Sequence, residues 1–431
     1  MKKIRVLIIT YYPWREDNNV GNSYSNLFAG MDDKLEFSQI YMREGLPQNK
    51  LAHDYFYISE MDLLKGFIMR NKKVGVYFHF DDMENNPKET FSKIFNRARI
   101  LRWQILLLIR DLAGFNAQWK SKQLDDFLDK VHPDIIFGTL PNEVLNSKLM
   151  LYVKEKCSSK LITYPWDDYY SLCHKSISPI FWLRKFMARY FLMKTAKASE
   201  FLYVISDIMK KEYTQIFNKE CKLLFKGYMF GQRPLMKPVG NTIKMIYMGN
   251  IGGGRWKVLA SLASSIDKIN KYNKDTKIIL NIYTLSARTG KIDDALNVKG
   301  ASTILPPVPN EEVQATMYSA DILLHVEPWN GKDRSFYRAS FSTKLVDYFY
   351  SAKCILAIGG DTASIDYLKD NDAAIVVNKR KQVEQTLCTL IETPLIIDQY
   401  AQKSWNCGYK NHQIRKIQEM IYNDFLKVIQ K

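Results

Sequence analysis

Short apolar runs alternate with helix-length segments along this chain, and the alternation stops once and then restarts. Ile4–Ile9 is apolar almost throughout, as a strand must be when helices cover both faces of a parallel sheet. Leu35–Tyr41, 134–138, 160–164 and 201–205 are further candidate strands, with helices expected over 142–155 and Asp207–Phe217. This βαβ order predicts a Rossmann-like sheet. A Gly- and Pro-rich break follows over 227–240 and reads as an interdomain linker. The order then resumes. Strands are expected at 243–248, Lys277–Tyr283, 321–325, Cys354–Ile358 and 373–377, and helices over 256–271 and 310–319. The tail, 412–429, is amphipathic and is expected to pack back on the first domain. The predicted domains are 1–235, 236–405 and a returning helix within 406–431. Two Rossmann-like domains facing each other would leave a cleft lined by strand C-terminal ends, where α/β sheets bind ligands.

A chain of 431 residues with 46% hydrophobic and 13% aromatic residues can fill two or three cores, and it excludes disorder. Six scattered cysteines, with no Cys-x-x-Cys pair, point to a reducing compartment and not to a zinc site. The apolar run after Met1-Lys-Lys is too short for a signal peptide. No run of about 18 apolar residues suggests a transmembrane helix. The expected place is the cytoplasm. A net charge of +17 calls for an anionic partner, a nucleic acid or a membrane surface, unless the charge is merely solvated. No compact nucleic-acid recognition motif is present, so nucleic acid is not an expected partner. Two basic, aromatic segments, 91–119 and 181–197, carry Arg97, Arg102, Arg110, Arg184, Lys185, Arg189, Lys194 and Lys197 among apolar side chains. They suit helices lying on an anionic bilayer, or amphipathic helices packed on a core.

The segment Ser342-Thr-Lys-Leu-Val-Asp347 precedes a buried strand. Ser342 or Thr343 can cap a helix whose open N–H groups suit a phosphate, and Lys344 adds a full charge. Asp347, four residues after Thr343, lies on the same helical face and could hold ribose hydroxyls. The set suggests a nucleotide-sugar site, although the same residues can form a simple cap.

Other stretches fall where strand-end loops should be. Gly249-Asn250-Ile-Gly-Gly-Gly254-Arg255-Trp-Lys257 combines a flexible loop with two cations that could meet a diphosphate, or be solvated. Gly21, in Val20-Gly-Asn22-Ser23, could let backbone approach a phosphate or sugar, or belong to an ordinary cap. Asp167 and Asp168, flanked by Trp166, Tyr169 and Tyr170, suit a polar sugar and a proton-accepting role, and equally an ordinary turn. They lack a third partner for a metal site. His325 and Glu327 end one strand, and Arg334 and Arg338 precede the Ser-Thr-Lys segment.

These residues resemble the retaining GT-B glycosyltransferases, in particular bacterial enzymes that build capsule, O-antigen or exopolysaccharide. The resemblance runs over nearly the whole chain and is strongest over 244–377. It includes the 198–210 stretch, the Gly249 loop, the turn Pro307-Val308-Pro-Asn-Glu311 and the Ser342-Thr-Lys helix. It implies that the backbone of Thr343 and Lys344 meets the diphosphate, that Asp347 stands for the ribose-binding glutamate, that Val308 lies at the base-binding turn, and that Arg255 or Lys257 contacts the diphosphate. It further implies a nucleotide diphosphate sugar as donor, a lipid-linked saccharide or polysaccharide as acceptor, attachment to the inner face of the membrane, and no metal or cofactor. The chain departs from the family in three places: Ala339 stands where a first glutamate would fall, Trp166-Asp167 replaces a His-Asp pair, and Asn250 replaces a basic residue. The alternatives are a sugar-nucleotide epimerase of the same two-lobe plan and a glycosyltransferase-like subunit without catalysis.

Overall fold

The computed structural model describes residues 2–17, 19–69, 74–85, 104–116, 119–173, 176–235 and 237–430. Most of the basic segment 91–119 lies outside the described residues. The chain forms two compact units, Met1–Leu224 with Arg415–Lys431, and Phe225–Ile414.

The first unit holds β1 (Ile4–Ile9), β2 (Leu35–Tyr41), β3 (Ala52–Tyr57), β4 (Val76–His79), β5 (Ile135–Gly138), β6 (Lys160–Thr163), β7 (Phe201–Val204) and β8 (Cys221–Leu223). Their order is β4-β3-β2-β1-β5-β6-β7-β8, parallel except where β4 runs against β3. The sequence reading lacks β3, β4 and β8: β4 and β8 are short, and β3 has the polar pair His53-Asp54 near its start. The order reverses between β1 and β5, the pattern of a sheet wound in both directions from its centre. Helix Asn19–Phe28 buries Tyr24, Leu27 and Phe28 against Trp14, Phe37 and Phe137. Helix Ile414–Ile429 adds Ile417, Ile421, Phe425 and Val428 to the same core.

The second unit holds β9 (Thr242–Met248), β10 (Lys277–Tyr283), β11 (Ser302–Leu305), β12 (Ile322–Val326), β13 (Cys354–Ile358) and β14 (Ile375–Val377). They pair in parallel in the order β11-β10-β9-β12-β13-β14. That order reverses between β9 and β12. Every residue of β12 and of β13 is buried, as the sequence pattern requires of central strands. Strand β11 and helix Gly290–Leu296 are absent from the sequence reading, since neither carries a long apolar run.

The stretch expected to link the domains packs within the second unit. Phe230 lies on Trp405 and Tyr350, and Arg233 binds Asp398 and Gln402. The chain passes between units at Leu224/Phe225, before the glycines and prolines begin, and returns at Ile414/Arg415. Residues 406–414 therefore belong to the second unit. Among the described residues, no helix is long and apolar enough to cross a membrane.

Candidate functional site

In the second unit, the loops after β9, β10 and β11 and helix Lys344–Tyr350 enclose a cavity of about 470 Å³. Its wall is built from Met248, Gly249 and Asn250 after β9, the residues 283–286 at the end of β10, and Pro307 and Val308 after β11. Val313 and Met317 add apolar surface, and Lys344, Asp347 and Tyr348 close the side. The cavity thus lies at the carboxyl ends of parallel strands beside the point where strand order reverses, where open α/β sheets leave a crevice.

Asn250 shapes the first loop. Its Oδ1 accepts the Gly252 N–H at 2.6 Å and the Ser286 hydroxyl at 3.1 Å, while Ser286 Oγ accepts the Ile251 N–H at 3.2 Å. The Tyr247 hydroxyl donates to the Asn250 carbonyl at 2.6 Å. An amide with an acceptor oxygen does this work, and a basic side chain could not. The missing charge is supplied from elsewhere. Lys344 reaches across to donate to the Met248 carbonyl at 3.0 Å, so close to Gly249 that a Cβ there would lie 2.5 Å from Nζ. Desolvation by its neighbours, and then the Arg255 charge, lower the Lys344 pKa against the pull of Asp347.

The helix behind Lys344 starts differently from the expectation. Thr343 is in helical geometry (φ −58°, ψ −25°) and its hydroxyl makes no cap bond. The Leu345 and Val346 amides turn back to the carbonyls of Ser342 and Thr343, and the Ser342 amide donates to Ser364 Oγ at 3.0 Å. The helix is tied by its loop, not by a capping hydroxyl. Asp347 lines the cavity, but its Oδ1 already accepts Lys226 Nζ at 2.6 Å and the Tyr228 hydroxyl at 2.5 Å. Sequence reasoning missed both partners, because Lys226-Gly-Tyr228 looks like the start of a linker. It also missed Ser286, which the rule that strand ends face ligands could have found.

Arg255 does not line the cavity. Its Nε donates to the Val326 carbonyl at 3.0 Å, its Nη2 meets Glu327 Oε2 at 3.0 Å, and its plane lies 3.8 Å from the Tyr337 ring centre. Glu327 is buried, with His325 Nε2 also 3.3 Å from its other oxygen. Burial pushes the Glu327 carboxyl up, but His325 and Arg255 outweigh it and hold it below its ordinary value. Arg255, the arginine expected at a diphosphate, braces the end of β12 and pairs with Glu327. Lys257 is exposed beside Trp256, away from the cavity wall. Ala339 is buried. Arg334 packs over Gly360, and the Arg338 carbonyl accepts the Ala363 amide.

The other named residues lie in the first unit. At Gly21 the backbone of Arg15 takes the space of a side chain: a Cβ would sit 2.0 Å from the Arg15 carbonyl oxygen. The glycine serves close packing of its own loop. Asp168 Oδ1 accepts the Tyr213 hydroxyl and the Ser171 amide, both at 3.0 Å, and so ties the loop after β6 to helix Asp207–Phe217. Asp167 is exposed and accepts the Tyr169 hydroxyl at 3.3 Å. Helix Pro179–Ala198 turns much of its charge inward. Arg184 binds Asp111 and Gln104, Lys185 donates to the Tyr169 carbonyl, and Arg189 donates to the Tyr170 carbonyl. Burial lowers the Lys185 amine to about 8. Leu183, Phe186 and Tyr190 are more than half exposed.

Of the residues singled out in the sequence, Gly249, Asn250, Val308, Lys344 and Asp347 meet at one cavity. Ser342, Thr343, Arg255 and Lys257 do not line it, and Gly21, Asp167 and Asp168 belong to the other unit. No protein-family model matches the chain, and no curated protein matches it by sequence. Solved structures do. Anabaena Alr3699/HepE, in complex with UDP and glucose, aligns with a TM-score of 0.60 at 9% identity, over 98% of this chain and 100% of that one. WaaG, a glycosyltransferase involved in lipopolysaccharide biosynthesis, gives 0.58 at 11%, over 98% and 99%. The UDP-forming α,α-trehalose-phosphate synthase from Burkholderia vietnamiensis gives 0.57 at 10%, over 98% and 100%. At such identities the likeness shows the fold, which is α/β and GT-B-like, with two Rossmann-like units.

Proposed function

We propose that the chain is a glycosyltransferase that takes its sugar from a nucleotide diphosphate sugar held in the cavity of the second unit. One observation carries this reading: five residues from three separate stretches, each singled out in the sequence, line one cavity at the carboxyl ends of β9 to β11. Val308, Val313 and Met317 offer an apolar wall to a base. Asp347 receives ribose hydroxyls. The Lys344 ammonium meets the diphosphate as negative charge grows on it during departure. In this reading the donor is a substrate, and neither metal nor cofactor takes part.

The structural neighbours support the reading, because one is in complex with UDP and glucose and another is a glycosyltransferase involved in lipopolysaccharide biosynthesis. A lipid-linked or polysaccharide acceptor, retention of configuration and docking on the inner membrane face extend the proposal and rest on the family resemblance. For docking, the exposed Leu183, Phe186 and Tyr190, with Lys194 and Lys197 on the same helix, are the supporting surface.

Titration of the purified protein with UDP, GDP, CDP and ADP tests the site. At least one should bind, and Lys344→Ala should weaken it about tenfold or more, which is about 1.4 kcal/mol. The melting temperature without nucleotide should stay put. If none of the four binds, or if Lys344→Ala binds equally well, the site is elsewhere. A second reading has two observations in its favour: Ala339 is buried and Glu327 is held by Arg255, so a chain that binds nucleotide without turnover is consistent with the cavity. Consumption of a matching sugar nucleotide with acceptor present would separate the two.

A further inference from the structure

The carboxylate of Asp347 is held in an unusual way for a group on a cavity wall. One oxygen takes two donors, an ammonium from Lys226 and a phenol from Tyr228. The other oxygen, Oδ2, has no protein partner among the described residues. Both side chains of the ion pair are largely out of solvent, at 12% and 21% exposure, so the pair is less screened than a surface pair.

The two anchors are themselves fixed. The Lys226 carbonyl accepts from His412 Nδ1 at 3.1 Å. The Tyr228 amide donates to the His412 carbonyl and its carbonyl accepts the Ile414 amide. The Tyr228 ring stacks on Tyr350 at 4.4 Å and 14°. Tyr350 closes the same helix that carries Asp347. A lysine and a tyrosine so restrained give the carboxylate one rotamer.

We propose that Lys226 and Tyr228 are positioning residues that set Asp347 to receive the hydroxyls of a bound ribose. The proposal rests on the nucleotide reading above. A phosphate would be repelled by this carboxylate, whereas a hydroxyl donates to it, and an ionised acceptor forms the stronger bond. Without Lys226 the carboxylate would swing, and its selectivity for hydroxyl-bearing ligands would go. Without the Tyr228 hydroxyl it would lose one of its two restraints.

The test compares UDP, GDP, CDP and ADP, each with its 2′,3′-dideoxy analogue, on the wild-type chain and on Lys226→Met and Tyr228→Phe. The wild type should prefer the ribose form of its nucleotide at least tenfold. Each variant should lose at least fivefold in affinity for the ribose form and keep its affinity for the dideoxy form within twofold. Lys226→Arg should restore part of the preference. A merely structural role would weaken both forms alike, and that result overturns the proposal, as does an unchanged preference. A wild type that binds without telling the forms apart overturns it too and leaves the nucleotide site standing. A wild type that binds none of the four removes the nucleotide reading and this proposal together. Tyr228→Phe deletes a single hydroxyl, so it keeps the test open should Lys226→Met fold poorly.

Discussion

His412 shows how a single ring can fix both its tautomer and its charge. Its side chain is fully buried among Phe225, Phe341, Phe349 and Tyr367. A carbonyl only accepts, so Nδ1 donates to the Lys226 carbonyl. Burial of the ring favours its neutral form, in which Nε2, 2.9 Å from the Tyr367 hydroxyl, is the acceptor. Burial lowers its pKa to about 4, against a weaker upward pull from the Lys226 carbonyl. The folded value lies below the unfolded one, near 6.5. Between those values the unfolded chain binds a proton that the folded chain refuses. Stability from this group is whole above pH 6.5 and drains away as pH falls toward 4. At pH 4.5 the loss should be roughly 2–3 kcal/mol relative to pH 7. Urea unfolding of the wild type and of His412→Gln at both values measures it: the variant should lose less on acidification. Equal losses would show that His412 is not the group responsible.

The helix Ile414–Ile429 is the element on which the first unit most visibly depends. Asp424 accepts the Tyr203 hydroxyl at 2.8 Å and Lys222 Nζ at 2.7 Å, and so fastens the helix to β7 and to the neighbouring β8. Phe425 is wholly buried, 6.0 Å from the Phe137 ring on β5. Phe425→Ala should cost about 3–5 kcal/mol by loss of burial and the cavity left behind. Chemical denaturation measures the loss, and nucleotide affinity should hold, because Phe425 lies in the unit without the cavity. A loss below about 1 kcal/mol would mean that the core closes over the gap. This helix was legible in the sequence, as were the central strands, because burial on one face or on both imposes a period that needs no partner to be seen. The polar or short β3, β4, β8 and β11 were not, because their neighbours in the sheet define them. The same divide runs through the site. Lys344 announces itself by type and place, and Val308 comes only through the family resemblance. The commitment of Arg255 to Glu327, and of Asp347 to Lys226, joins residues 72 and 121 positions apart, and no local pattern encodes such pairs.

At the scale of the whole molecule, the order of the chain through the two units sets what can be separated. The second unit is one uninterrupted stretch, Phe225–Ile414, and it contains the cavity, Lys226, Tyr228 and Asp347. Residues 225–414 alone should therefore fold and keep their nucleotide affinity within about threefold, which isothermal titration can check; a soluble piece with no affinity would show that the first unit contributes to the site. The first unit is assembled from both sides of that stretch, and without 415–431 it lacks Ile421 and Phe425 from its core. The two places where the chain enters and leaves the second unit are bridged side by side, Tyr228 against Gln413. An excised second unit would thus have its own two ends as near neighbours, and a short glycine–serine splice could close it into a ring.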